Sequence, residues 1–276
     1  MRTTLPGLGP IHCQSRAYAR FAYDEIFRKR QYSGHGIVLE PGAVVFDVGA
    51  NIGLFSLFVD QECGGDVTLY VFEPIPETHG LLAQNAERLQ RAHLYDCGLT
   101  RLGGPKQANF RYYPGSSGLS TMKPAEIEAL VNSTDPDTVV RTIRESNPGL
   151  FYLALPLYPI RRWLVRSVRA RRLRGRQVQC ALSTLSAILA LHGVERVDLL
   201  KVDVEGAELD VLEGLEESDW PKIQQLVVEV HDLDNRLDRM TQMLVERGFE
   251  VHADVQEWST DSLAATYMLF AKRGPS

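Results

Sequence analysis

The chain has 276 residues, of which 44% are hydrophobic and 24% charged, and its 30 Lys and Arg against 35 Asp and Glu give a net charge of −5. This length suits one α/β domain with an insertion, and no segment approaches the roughly 20 apolar residues of a membrane span. The first residues contain no apolar stretch of signal-peptide length, and the scattered Cys residues form no C-x-x-C pair, so we expect a cytoplasmic protein without a disulfide framework or zinc knuckle.

Residues 1–40 are predicted to form a helical lid segment. Aromatic and charged residues alternate at near-helical spacing from Tyr18 to Tyr32, so this part could fold over a cleft. His35 follows and is a candidate catalytic residue. The glycines on either side of His35 would permit movement, although they equally suit an ordinary turn.

A predicted strand at 44–48 runs into a Gly-rich turn and an apolar helix start. Ligands of open α/β sheets lie at this edge, against helix N-termini. A dinucleotide fingerprint would need glycine at the position of Asp47, whose carboxylate stands where a diphosphate would sit. A ligand with a cationic group fits better, which disfavours a nicotinamide oxidoreductase. We predict that Asp47, Gly49, Asn51 and Gly53 bind a cofactor of this kind.

Two more predicted strands, at 67–72 and 93–96, end in further candidates. Glu73, followed by Pro74, is placed to accept hydrogen bonds from both hydroxyls of a ribose. Asp96, with Cys97 beside it, is a candidate for binding an adenine amino group, although a simple turn Asp is an equal alternative.

An insertion of about ninety residues separates the third and fourth strands, which is too long for a plain loop. We predict that residues 105–180 form a cap that determines specificity. Arg161 to Arg176 contains eight arginines and no acid. Such a cluster suits phosphate on a carrier-protein arm or substrate, or an anionic membrane surface; pairing with the protein's own acids or a neighbouring subunit is the alternative. The acidic overall balance makes nucleic acid an improbable partner.

The fourth and fifth predicted strands, at 197–203 and 225–231, bring polar residues to the same edge. Asp203 and Glu205 follow the fourth strand, and His231 ends the fifth, where a near-neutral imidazole could take a proton from a hydroxyl. We therefore predict His231 as the catalytic base, with Asp203 and Glu205 as catalytic residues. Alternatively, Asp203 and Glu229 could hold Mg²⁺ beside the hydroxyl. Glu205 could equally be a helix-capping acid.

Two last strands, at 249–255 and 264–271, are expected to close the sheet. The whole pattern predicts an α/β, Rossmann-like fold with helices on both faces of a seven-stranded sheet.

The chain resembles the FkbM-type S-adenosylmethionine-dependent methyltransferases over about residues 18 to 271. The resemblance rests on four matching segments, at 46–53, 72–74, 200–208 and 228–231. Segments at 23–27, 35–37 and 112–120 resemble most the branch attached to polyketide and hybrid peptide assembly lines.

This resemblance implies a class I methyltransferase domain over residues 41–272, with its seventh strand antiparallel between strands five and six. It implies S-adenosylmethionine as the cofactor, its cationic methionyl end beside Asp47. It also implies O-methylation of a natural-product intermediate, such as a polyketide or glycoside, either free or tethered to a carrier protein. The alternative is a non-catalytic assembly component that keeps the nucleotide fold and docks an anionic partner through the Arg-rich segment.

Overall fold

The computed structural model describes residues 1–114, 116–133, 163, 173–256 and 265–274. Its helices and strands in chain order are β1 (Arg2–Leu5), β2 (Gly9–His12), α1 (Arg16–Tyr23), β3 (Ala43–Val48), α2 (Leu54–Glu62), β4 (Val67–Phe72), α3 (Pro76–Ala86), β5 (Ala92–Tyr95), β6 (Cys97–Leu99), β7 (Gln107–Tyr112), α4 (Pro124–Ser133), β8 (Arg176–Ser183), α5 (Leu185–His192), β9 (Leu199–Val202), α6 (Glu208–Leu212), β10 (Gln225–His231), α7 (Arg236–Glu246), β11 (Phe249–Val255) and β12 (Thr266–Arg273).

The central sheet has seven strands in the order β11-β12-β10-β9-β3-β4-β5. Strands β3, β4, β5, β9 and β10 pair in parallel, whereas β12 lies antiparallel between β10 and β11. The α/β fold, the seven strands and the antiparallel seventh strand are all confirmed. The carboxyl ends of β3, β4, β9 and β10 therefore meet at one edge of the sheet.

Two apolar cores cover the two faces of this sheet. One core packs the N-terminal segment and α2 against one face of β3, β4, β9 and β12. The other packs α5, α6 and α7 against the opposite face. Because both faces are buried, the parallel strands consist of nearly continuous apolar runs, and polar residues within or just after such a run need a separate explanation.

The N-terminal segment is helical only in part. Strands β1 and β2 form an antiparallel hairpin that the sequence did not predict. Helix α1 begins after Ser15, whose hydroxyl accepts a hydrogen bond from the Tyr18 amide, and a π-helical turn continues it over Asp24–Arg28. Asn85 of α3 bonds to both backbone groups of His12, so α3 holds the hairpin in place.

The insertion contributes its own small sheet, of order β6-β8-β7. Only Asp96 separates β5 from β6, so the chain passes from the central sheet into the small sheet within one residue. One intervening residue leaves no sequence signal for a change of sheet. Except for Trp163, the part of the Arg-rich segment before residue 173 lies outside the described residues.

Candidate functional site

The turn after β3 packs directly against the end of β9. A side chain on Gly49 would meet the carbonyl oxygen of Asp203 at 1.8 Å, so only glycine fits there. Gly49, Asn51 and Gly53 all have a positive φ, between 51° and 85°, which bends the chain sharply before α2. The predicted turn residues thus bring the first strand against the fourth.

The backbone amides of this turn already donate to protein acceptors. Gly49 and Ala50 donate to the Phe72 carbonyl, Gly53 donates to Ala50, and Asn51 donates to Glu73. A pyrophosphate site needs free amides at this place. Because these amides are already bonded, the turn does not suit a dinucleotide. This agrees with the expectation drawn from Asp47.

Asp47 lies below the turn and is fully buried, with 0% of its surface exposed. Its carboxylate accepts a 2.6 Å hydrogen bond from Ser56 and lies 3.2 Å from the ammonium of Lys201. Lys201 is itself only 2% exposed and donates to the carbonyl of Gly49 at 2.8 Å. This buried ion pair therefore links β3, β9 and the turn.

Asp203 reaches the cleft from the end of β9. Its carboxylate accepts a 3.0 Å hydrogen bond from the hydroxyl of Tyr32 and lies 3.6 Å from Lys201. Burial lowers the pKa of Lys201, but Asp47 and Asp203 outweigh this and raise it, so the ammonium stays charged. The buried ammonium of Lys201 is therefore the ion-pair partner of both Asp47 and Asp203.

Glu73 is buried at the end of β4, next to the half-buried Pro74. Its two oxygens accept backbone hydrogen bonds from Asn51 and Ile75, each 3.0 Å long. Burial raises the pKa of Glu73 to about 7, although the two amides oppose this. Near neutral pH, the carboxyl group is therefore poised between its two protonation states.

Asp96 and Cys97 stand next to this group along the same edge. Asp96 is exposed, and Cys97 is half-buried at the start of β6. Burial, together with the charge of Asp96, raises the pKa of the Cys97 thiol to about 11, so the thiol stays protonated.

His231 is enclosed between two carboxylates. Its Nε2 lies 3.3 Å from Glu205, and its Nδ1 lies 3.1 Å from Glu208. His231 is 3% exposed and Glu208 is 0% exposed. Burial opposes the charged imidazole, but the hydrogen bonds and charges of both acids prevail and raise the pKa of His231 well above its usual value. This shift favours the protonated imidazole, which argues against the predicted role of His231 as a base.

Glu205 contacts the imidazole of His231 from the side opposite Glu208. Its side chain is 16% exposed, and its backbone has a positive φ of 55°. Burial raises the pKa of Glu205, although His231 opposes the shift. A carboxylate with a raised pKa is a better proton acceptor than an ordinary one.

Glu229 lies in the middle of β10, within electrostatic range of Asp203 and Glu205. Burial and the charge of Asp203 raise its pKa well above the usual range, which favours the neutral acid. Within the described ranges, no group of three or more His, Cys, Asp or Glu side chains is arranged to hold a metal ion. The predicted Mg²⁺ site at Asp203 and Glu229 therefore finds no support.

His35 lies apart from these residues, over the sheet beyond β10. Its Nε2 lies 2.8 Å from the Asp254 carboxylate, and its ring stacks on His252 at 4.7 Å between centroids. His35 also packs against Phe270 of β12. The structure thus places it against β11 and β12 rather than at the ends of β3, β4 and β9.

Several residues at this edge were absent from the predicted site. Lys201 carried a signal, since a lysine inside an apolar central strand needs a buried partner. Tyr18 and Tyr32 lay in the predicted lid, but nothing in the sequence singled them out. Arg236 bonds to the carbonyl of Gly206 and to Glu126 of the insertion, which helical periodicity could not reveal.

The end of the Arg-rich segment contacts the protein's own residues. Arg176 forms an ion pair with Glu77 and lies over the ring of Tyr112. No helix within the described ranges is long and apolar enough to cross a membrane.

The strand order and the Gly-rich turn after β3 define a class I methyltransferase fold. The family model described as "Methyltransferase FkbM domain" matches residues 47–251. The chain therefore belongs to the FkbM methyltransferase family, as its motifs predicted.

Three relatives illustrate this membership. The 31-O-demethyl-FK506 methyltransferase FkbM of Streptomyces tacrolimicus is 37% identical over 91% of this chain and 89% of its own length. The AMB antimetabolite synthetase AmbE of Pseudomonas aeruginosa is 35% identical over 84% of this chain but only 10% of its own length. The methyltransferase sdnD of Sordaria araneosa is 30% identical over 94% of this chain and 92% of its own length.

Proposed function

We propose that this protein transfers a methyl group from S-adenosylmethionine to a hydroxyl group of a natural-product intermediate. The observation that carries the proposal is Glu205, a cleft carboxylate with a raised pKa, held beside the imidazolium of His231. The names of the relatives, a demethyl-FK506 methyltransferase and an antimetabolite synthetase, support the substrate class.

The residues at the strand ends fit the cofactor. The amides of the turn are occupied, so the edge suits a nucleoside without a pyrophosphate. We assign Glu73 and Pro74 to the ribose, and Asp96 and Cys97 to the adenine. We place the carboxylates of Asp203 and Glu205 beside the sulfonium cation, because opposite charges attract. Asp47, with Gly49, Asn51 and Gly53, would act by fixing the turn rather than by touching the cation.

The protein contributes positioning and one proton transfer. When bound, S-adenosylmethionine would supply an electrophilic methyl group for transfer to the acceptor oxygen, with the neutral sulfide as leaving group. Glu205 takes the hydroxyl proton, and His231 holds the carboxylate in place. Because the sulfonium is already activated, alignment accounts for much of the rate.

We also propose the division of the chain into a lid at 1–40, a catalytic domain at 41–272 and a specificity region at 105–180. An acceptor tethered to a carrier protein is one form of the substrate that we propose, and the match to a tenth of an antimetabolite synthetase is compatible with it.

Calorimetry and turnover test this proposal together. We expect micromolar binding of S-adenosylmethionine and S-adenosylhomocysteine to the purified protein. Methyl transfer is then assayed with polyketide alcohols, including 31-O-demethyl-FK506, both free and carrier-bound. Cofactor binding without O-methylation of any alcohol would count against the hydroxyl acceptor, and absence of binding would refute the enzyme assignment and favour the docking alternative.

Cofactor binding should depend on pH through Glu73. Because the pKa of Glu73 is about 7, a fraction of the free protein has this carboxyl group protonated at neutral pH. Ribose hydroxyls donate to the carboxylate, so binding favours the ionised form and releases a proton. We expect S-adenosylhomocysteine affinity to rise from pH 6 to pH 8 and then level off. The Glu73→Gln variant should bind more weakly and lose this pH dependence.

Titrations in two buffers of different ionisation enthalpy will measure the released proton. A proton count of zero in the unchanged protein at pH 6.5 would contradict the assignment of Glu73 to the ribose.

A further inference from the structure

The N-terminal helix and the insertion meet above the Gly-rich turn. The hydroxyl of Tyr18, on α1, accepts a 3.4 Å hydrogen bond from the side-chain amide of Asn51. The hydroxyl of Ser117, in the insertion, donates to the other side of the same amide at 3.4 Å. Asn51 thus links two segments that are far apart in the sequence.

Gly118 packs directly against the side chain of Tyr18. A Cβ atom added to Gly118 would lie 2.3 Å from the Tyr18 hydroxyl and 2.9 Å from its ring. Gly118 is not among the residues with a positive φ, so its backbone does not require glycine. The missing side chain is therefore explained by the space that Tyr18 occupies.

Tyr18 also lies above the polar groups of several strand ends. Burial raises the pKa of its hydroxyl, and the carboxyl groups of Asp203, Glu205, Glu229 and Glu73 add to this shift. These acids follow β4 and β9 or lie on β10, so the hydroxyl is within electrostatic range of both the ribose end and the methyl-transfer end of the proposed site.

We propose that Tyr18 is a cofactor-contacting residue, held as the outer wall of the S-adenosylmethionine site by its fit against Gly118. This inference rests on the proposed function. Tyr18 thus joins the lid to the insertion beside the proposed cofactor site. Its aromatic ring supplies a rigid apolar surface, and its hydroxyl remains bonded to Asn51.

The test is calorimetry with S-adenosylmethionine and S-adenosylhomocysteine, which needs no acceptor. We expect Tyr18→Ala to weaken binding of both by about tenfold, the scale of one lost aromatic contact. Gly118→Ala should weaken binding similarly, because the new methyl group displaces the ring. In the double variant, Gly118→Ala should change the dissociation constant of Tyr18→Ala less than twofold, because the ring that the new methyl group would displace is already absent.

Tyr23→Phe and Gly80→Ala are the matched controls. Tyr23 lies on the same helix but stacks on Phe27, and a Cβ on Gly80 would meet nothing within 4 Å. Both should leave binding unchanged, and thermal unfolding without ligand will show that each variant is folded. Should Tyr18→Ala fail to fold, Gly118→Ala alone decides the matter.

Two results would overturn the inference alone. The first is unchanged affinity in Tyr18→Ala, or in Gly118→Ala where only that variant folds. The second is a Gly118→Ala effect that persists fully in the Tyr18→Ala background. Absence of binding by the unchanged protein would overturn the inference together with the proposed function.

Discussion

Replacing Lys201 with Met should lower the free energy of unfolding by about 3–5 kcal/mol, the usual cost of removing one partner from a buried ion pair. Lys201 and Asp47 are buried together, and among the residues that the structure describes, Ser56 would remain as the hydrogen-bond donor to the Asp47 carboxylate. The carbonyl of Gly49 would lose its donor as well. Because both groups hold the turn beneath the proposed cofactor site, we also expect S-adenosylhomocysteine binding to be lost.

Urea unfolding at pH 7 measures the stability, and Lys222→Met is the matched control. Lys222 pairs with Asp219 and Glu195 but keeps 22% of its side chain exposed, so solvent screens these pairs and its loss should cost less than that of Lys201. Adding Asp47→Asn to Lys201→Met removes the uncompensated charge and should restore a large part of the lost stability. A loss below about 1 kcal/mol in Lys201→Met, or a double variant less stable than the single one, would refute this account.

The sequence could predict which polar residues share the edge because strand ends in a parallel sheet meet there. Asp203 and Glu205 follow an apolar run, and Glu73 follows another, so their positions come from local pattern alone. The β-hairpin at the N-terminus could not be predicted in this way, since its strands have four residues each and are half-exposed. Its partner, Asn85, lies more than seventy residues away.

The protonation of the site also depends on contacts between distant segments. His231 was expected to be a base because a free imidazole titrates near neutrality. Its actual state follows from Glu205 and Glu208, which approach it from two sides. A sequence shows that these three residues are present near strand ends, but only the structure shows that both carboxylates contact the imidazole and raise its pKa.

Replacing Glu205 with Gln should reduce the turnover number by about 10²–10⁴-fold, the usual contribution of a positioned general base. The amide keeps the shape of the side chain and can still bond to its surroundings, but it cannot accept the hydroxyl proton. Binding of S-adenosylhomocysteine should change little, because Glu73 and the turn lie elsewhere along the edge. Glu195→Gln is the matched control, since Glu195 is exposed and should leave turnover unchanged.

The pH profile of turnover separates Glu205 from His231 as the proton acceptor. The pKa of Glu205 is raised, so with Glu205 as base the rate rises as pH increases through that value. It should reach its plateau while His231 is still protonated, because the imidazolium stabilises the ionised Glu205. With His231 as base, the rate would continue to rise well above neutral pH, as the raised pKa of the imidazole is passed. That second profile, together with an active Glu205→Gln variant, would return the role of base to His231.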